Sequence, residues 1–188
     1  MDIYSRYKTL LKQLPARLPD WKGHLVFWPL FAGGLVLDLW TKRAIFDWLG
    51  RGESYKIIDG FVQLIPALND GAAFGLFASR AFFLTAVSVI ALLLILSIFL
   101  FSGARHRLTQ ISLGLFAAGV CGNLYDRIFN GGFVRDFIDV VYWPGRHWPT
   151  FNVADSLLCI GIGLLVVSSL FTEKSGQTRD QQQKSGHS

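Results

Sequence analysis

Residues 81–101 read AFFLTAVSVIALLLILSIFLF, 21 positions without one charged side chain. About 20 such residues, wound as a helix, cross the hydrocarbon of a bilayer. This stretch therefore decides the fold class: the chain belongs in a membrane. Outward from it, Leu108–Tyr125 supplies 18 uncharged residues, and Asn152–Phe171 supplies 20 with a single acid, Asp155. Toward the N-terminus, residues 24–44 read as the first span although Asp38, Lys42 and Arg43 interrupt them. The expected fold is all-α integral membrane, with four transmembrane helices and a small extracytoplasmic β-sheet element. No ten-residue alternation repeats along the chain, which argues against an outer-membrane barrel.

The composition agrees. Of 188 residues, 52% are hydrophobic and 16% charged, well below the quarter or so that a soluble domain carries. Such apolar content also excludes disorder. The two cysteines, Cys121 and Cys159, lie in apolar runs and read as small core residues. The four histidines, at 24, 106, 147 and 187, are too scattered for a metal site, so neither metal nor other cofactor is expected. The net charge of +5 reads as a membrane-surface signature, since no basic and aromatic module points to nucleic acid.

Three units follow. Residues 1–23 form a basic cytoplasmic or interfacial extension, in which 3–14 carry helical apolar spacing ended by Pro15. The first span is read as retained, because no small-residue cleavage site follows it. Residues 24–171 form the four-helix membrane domain, with extracytoplasmic segments 45–80 and 126–151. Residues 172–188 are a polar tail expected to be disordered and cytoplasmic. Ten of the 18 basic residues fall in the N-terminal stretch, the link holding Arg105 and Arg107, and the tail. Both termini are thereby placed on the cytoplasmic side.

Ionisable residues beside membrane helices are costly and mark function. Here they gather at one boundary, the outer one by this topology. Asp38 and Lys42 are spaced i, i+4 on one helix face. Asn-x-x-Asp occurs at Asn123/Asp126 and again at Asn152/Asp155, with Arg135-Asp136 and Asp139 between them. Asp155 lies about a turn into an apolar helix, where desolvation raises a carboxyl pKa. If Asp136 approaches it, two carboxylates share one proton, and the pair can activate a water and polarise a carbonyl without metal.

Each signal has a plainer competitor. Asn152 also suits a helix cap. Asp126-Arg127 suits an interfacial ion pair, Asp139 a solvated loop carboxylate, and Asp38-Lys42 a structural pair at a helix end. Asp59-Gly60 suits a turn between strands Tyr55–Ile58 and Phe61–Ile65. His147 suits an interfacial residue among its aromatic neighbours.

Five blocks in order resemble the lipoprotein signal peptidases, the bacterial signal peptidase II family. They are Asp38-Leu39-Trp40-Thr41-Lys42, Asn69-Asp70-Gly71-Ala72-Ala73-Phe74, Gly122-Asn123-Leu124-Tyr125-Asp126-Arg127, Val134-Arg135-Asp136-Phe137-Ile138 and Phe151-Asn152-Val153-Ala154-Asp155-Ser156. The resemblance implies an aspartyl endopeptidase of the bacterial inner membrane, multi-pass, with its active site at the periplasmic face. It would cleave prolipoproteins before their diacylglyceryl-modified Cys, with membrane lipids around it and globomycin as an inhibitor. The resemblance makes Asp136 and Asp155 the catalytic acids, and Asn69, Asn123, Asp126, Arg127 and Asn152 the substrate-binding residues. Asp38 and Lys42 become structural, and 45–80 carries a small sheet and a mobile surface helix.

Two departures stand out. Arg135 occupies a position where the family has Val, so that it either lowers the Asp136 pKa or points to lipid phosphate. The stretch Asn130-Gly131-Gly132-Phe133 is one residue longer, an insertion that Gly-Gly can absorb. The rival readings are a small proton-coupled transporter, with acids spread along a path, and a non-enzymatic assembly factor. A serine protease is weaker still, for want of a Ser-His pairing in the spans.

Overall fold

The computed structural model describes residues 21–50, 52–71, 81–101 and 106–185, with side chains described as far as Ser169. The expected helix at 3–14, the Ala72-Ala73-Phe74 part of the second block and the surface helix toward residue 80 lie outside the described residues. Among the described residues there are four helices: α1 (Trp21–Trp48), α2 (Ala81–Phe101), α3 (Arg107–Phe129) and α4 (Val153–Ser185). The first three are long and apolar enough to cross a membrane, and the apolar part of α4 is the shorter Val153–Ser169.

The second span begins and ends where the uncharged run does. The first is longer than expected, because α1 continues to Trp48 and leaves Asp38 and Lys42 inside it. Their charges do not end the helix because both find partners across the bundle. Beyond the apolar part, α4 carries helical backbone to Ser185 where a disordered tail was expected. Its Glu, Lys, Arg and Gln residues are good helix formers.

Helix α3 is central and packs against α1, α2 and α4. Its buried face includes Gly114, Ala117, Ala118, Gly119 and Gly122, small residues of the kind that let membrane helices approach closely. A Cβ on Gly119 would meet the Ala154 carbonyl oxygen at 2.5 Å, and one on Gly122 would collide with the Asp38 carboxylate. Near the start of α1, Phe27 stacks on Phe99 of α2, with ring centroids 4.0 Å apart. Ile95, Leu113, Ala117 and Val120 complete this apolar cluster.

The sheet has four antiparallel strands in the order β1 (Tyr55–Ile58), β2 (Val62–Asn69), β3 (Val134–Trp143), β4 (Arg146–His147). The expected hairpin is present, turning at Asp59-Gly60 with Gly60 at φ 72°. Its second strand starts at Val62 and runs on to Asn69. Strand β3 was not expected at all. A register shift between Leu64 and Ala67 contains Pro66, a residue suited to a bulge because it has no N–H for the ladder. Beyond this bulge Ala67 pairs with Asp136 and Asn69 with Val134. Gly131 (φ 63°) and Gly132 (φ 91°) make the turn from α3 into β3, a backbone that other L-residues adopt at a cost.

Candidate active site

Asp136 stands on β3, and Asp155 is the third residue of α4. Asn152 joins them. Its side-chain Oδ1 accepts from the Asp155 N–H at 2.9 Å, while the Asp155 Oδ2 accepts from the Asn152 N–H at 3.2 Å. This reciprocal pair caps the helix. The Asn152 amide Nδ2 then donates to Asp136 Oδ1 at 2.6 Å. The plain reading of Asn152 as a helix cap holds, and the same side chain also links the cap to Asp136.

Two further residues hold the two acids, and Arg127 stands beside them on the cavity wall. Asn69, ending β2, donates to Asp136 Oδ2 at 2.9 Å, the diagonal neighbour that the bulge sets up. Asn123 of α3 donates to Asp155 Oδ1 at 2.8 Å. Arg127, one turn on, donates to the Gly71 carbonyl at 3.2 Å. Asn69, Asn123, Arg127, Asp136 and Asp155 line one cavity of about 510 Å³. Its remaining wall is largely apolar, including Val134, Trp148, Phe151, Leu158 and Ile160.

Desolvation weighs on Asp136, the more deeply buried of the two acids. Asp136 is only 2% exposed, whereas Asp155 is partly open. Burial pushes the Asp136 carboxyl up to about 7; the Asn69 hydrogen bond opposes that rise, and the charge of Asp155 adds to it. Asp155 sits at the N-terminus of α4, where the helix dipole favours negative charge. Asp136 and Asp155 thus face the same space, the arrangement in which two carboxyls can share one proton.

Asp126 and Asn152 are fully buried and lie behind the cavity wall, not on it. Asp126 pairs with Arg135 at 2.6 Å, and not with its sequence neighbour Arg127. Both expectations for Arg135 fail for this reason: its guanidinium is held by Asp126, and its backbone N–H also donates to Asp126. The same carboxylate lies 3.3 Å from Lys42. Lys42 and Asp38 form their i, i+4 bridge at 2.8 Å, fully buried. Asp38 in turn accepts from the Ala154 N–H at 2.8 Å, satisfying an otherwise orphaned donor of the first turn of α4.

Several groups were misjudged. Asp139 is buried, not solvated, and holds Gln63 at 2.6 Å and His147 at 2.7 Å. His147, on β4, is thereby a hydrogen-bond partner of Asp139 across the sheet. Cys159 is exposed and lines the cavity. Trp148, Pro149 and Thr150 went unnoticed as cavity wall. The β-rich letters of 134–143 were the available signal, masked by Arg135, Asp136 and Asp139.

The family model for signal peptidase (SPase) II matches residues 30–171. The chain belongs to the signal peptidase II family. The lipoprotein signal peptidase of Geobacter sulfurreducens is 39% identical over 79% of this chain and 94% of its own. That of Desulforapulum autotrophicum is 40% identical over 74% and 88%. A solved bacterial membrane enzyme superposes with a TM-score of 0.74 at 28% identity, covering 84% of this chain and 93% of the other. As a signal peptidase II, the protein is a membrane peptidase. Among the described residues its buried charged side chains, Asp38, Lys42, Asp126, Asp136 and Asp139, gather at one end of the helices instead of along a path, and the readings as transporter, assembly factor and serine protease are set aside.

Proposed function

We propose that this peptidase uses Asp136 and Asp155 as an aspartic pair to remove the signal peptide from diacylglyceryl-modified prolipoproteins, cutting before the lipidated Cys. The observation that carries this is the convergence of both acids, with Asn69, Asn123 and Arg127, on one cavity whose other wall is apolar. The apolar wall suits acyl chains, and the amides and guanidinium suit an extended peptide. Asp126 and Asn152 serve by holding Arg135, Asp136 and Asp155 in place.

The reaction balances with the groups present. Asp155 takes a proton from a water held between the acids while Asp136 gives its proton to the scissile carbonyl oxygen, and a tetrahedral diol forms. Asp155 then delivers its proton to the departing nitrogen as the C–N bond breaks, and Asp136 recovers its own from the diol hydroxyl. The products are a signal-peptide carboxylate and a free α-amino group on the lipidated Cys. Acid–base help of this kind is worth about 10²–10⁴-fold.

The distribution of Lys and Arg supports four spans in the bacterial inner membrane with both termini cytoplasmic. The sheet and the aspartic pair then lie at the periplasmic face, in contact with membrane lipids. The test is incubation of the purified protein with a diacylglyceryl prolipoprotein, following signal-peptide release with and without globomycin. Release blocked by globomycin is expected; no release from a folded preparation would contradict the proposal.

A further inference from the structure

We propose that Lys42, on α1 and outside the cavity wall, is a positioning residue of the active site that orients the Asn123 carboxamide toward Asp155. The inference rests on the reading of Asp136 and Asp155 as the reacting pair. A carboxamide can sit in two orientations half a turn apart, one offering a donor and the other an acceptor. Against Asp155 only the donor is useful. An ammonium group carries three donors and no acceptor, so whichever Asn123 atom faces Lys42 must be the oxygen. That contact is present: Lys42 Nζ donates to Asn123 Oδ1 at 3.0 Å. Asn152 Nδ2 donates to the same oxygen at 3.1 Å. With its oxygen held twice, Asn123 presents Nδ2 to Asp155.

Lys42 has no freedom to turn away. Its ammonium donates to Asn123 Oδ1 at 3.0 Å and forms ion pairs with Asp38 Oδ2 at 2.8 Å and Asp126 Oδ2 at 3.3 Å. The residue is fully buried, which leaves its charge poorly screened. That charge also acts on Asp136, where it favours the ionised form. Among the described residues, the other charged groups around Asp136 are Asp155 from α4, Arg127 from α3, the Asp126–Arg135 pair joining α3 to β3, and Asp70, which shares a second cavity with it. A purely structural Lys42 would serve only to neutralise Asp38 and Asp126. It would leave kcat unchanged in a variant that keeps the fold.

The test uses the full chain in lipid with Asp38→Asn/Lys42→Gln, which replaces the buried ion pair by neutral hydrogen-bonding groups. In a folded variant we expect KM to stay within about threefold and kcat to fall about 30-fold. The alkaline limb of the kcat/KM profile, set by Asp136 as general acid, moves to higher pH, since Asp136 loses a nearby positive charge. Wild-type kcat with an unmoved limb in a folded variant overturns the inference. Asn123→Ser tests the same claim without disturbing the ion pair. It should lower kcat about 10–100-fold and leave the limb in place, because the Lys42 charge remains. Wild-type kcat in Asn123→Ser would likewise overturn it. A wild-type protein inactive on prolipoprotein would instead overturn the peptidase reading, and this inference with it.

Discussion

Near the start of α1, Phe27 stacks on Phe99 and is walled by Leu113 and Ala117, with no charge in the cluster. Fifteen residues further along, a rise of about 22 Å, Lys42 is buried as completely but meets Asp38, Asn123 and Asp126. The first region is held by close packing, which degrades gradually as atoms are removed. The second is held by a buried network of ion pairs and hydrogen bonds, in which the loss of one member strands the others. In a bilayer the first is the ordinary solution. The second is costly, and its presence beside Asp136 and Asp155 is what marks this end as the working one.

That contrast can be broken most sharply at the acids. Asp155→Asn and Asp136→Asn should each lower signal-peptide release at least about 10²–10⁴-fold while the melting transition stays cooperative, as followed by gel mobility of the substrate. Wild-type rates in either variant would remove that carboxylate from the chemistry.

The second comparison sets the two regions side by side. Lys42→Met leaves Asp38 and Asp126 buried short of a partner and should destabilise by about 3–5 kcal/mol. Leu113→Ala should cost about 2–4 kcal/mol through the cavity it opens. Denaturation in a common lipid mimetic checks both. A Lys42→Met protein as stable as wild type would show that the polar network is not the holding element described.

The third concerns pH. The Asp136 carboxyl is raised in the fold from an ordinary 3.8 to about 7. Between these values the unfolded chain has lost a proton that the folded protein keeps, so this group's contribution to stability declines as pH rises from about 4 to about 7. Asp136→Asn should remove that decline, gaining at most a few kcal/mol over wild type at pH 8 and little at pH 4. Stability curves of the two proteins against pH decide it. The smallest effect is expected at Arg43→Ala. Its pair with Asp47 spans 3.5 Å with both side chains mostly exposed, and such pairs contribute about 0–1 kcal/mol.

The same contrast explains what could be read from the chain alone. Periodicity and hydropathy are local properties, so the second span emerged with its observed limits, and the β1–β2 turn at Gly60 was equally plain. The blocks around Asp38, Asn123, Asp136 and Asn152 were also legible, as was the meeting of Asp136 with Asp155. Partnerships were not. Asp126 sits beside Arg127 in sequence, yet it pairs with Arg135 because the turn at Gly131-Gly132 folds β3 back over the end of α3. Asp139 looked solvated because its shielding comes from Gln63, 76 positions away. Strand β3 was hidden because its charged residues break the alternation that a half-buried strand shows, and each is accepted only through a partner from elsewhere.

The most direct test of the central claim is a site-specific titration of the Asp136 carboxyl, by isotope-edited infrared or carboxyl ¹³C NMR, in wild type and in Asp155→Asn. The account predicts a midpoint at about 7 in the wild type. It also predicts a lower midpoint once the neighbouring negative charge is gone. A midpoint in the ordinary carboxylate range, unmoved by Asp155→Asn, would show that the two acids do not act on one another, and would contradict it.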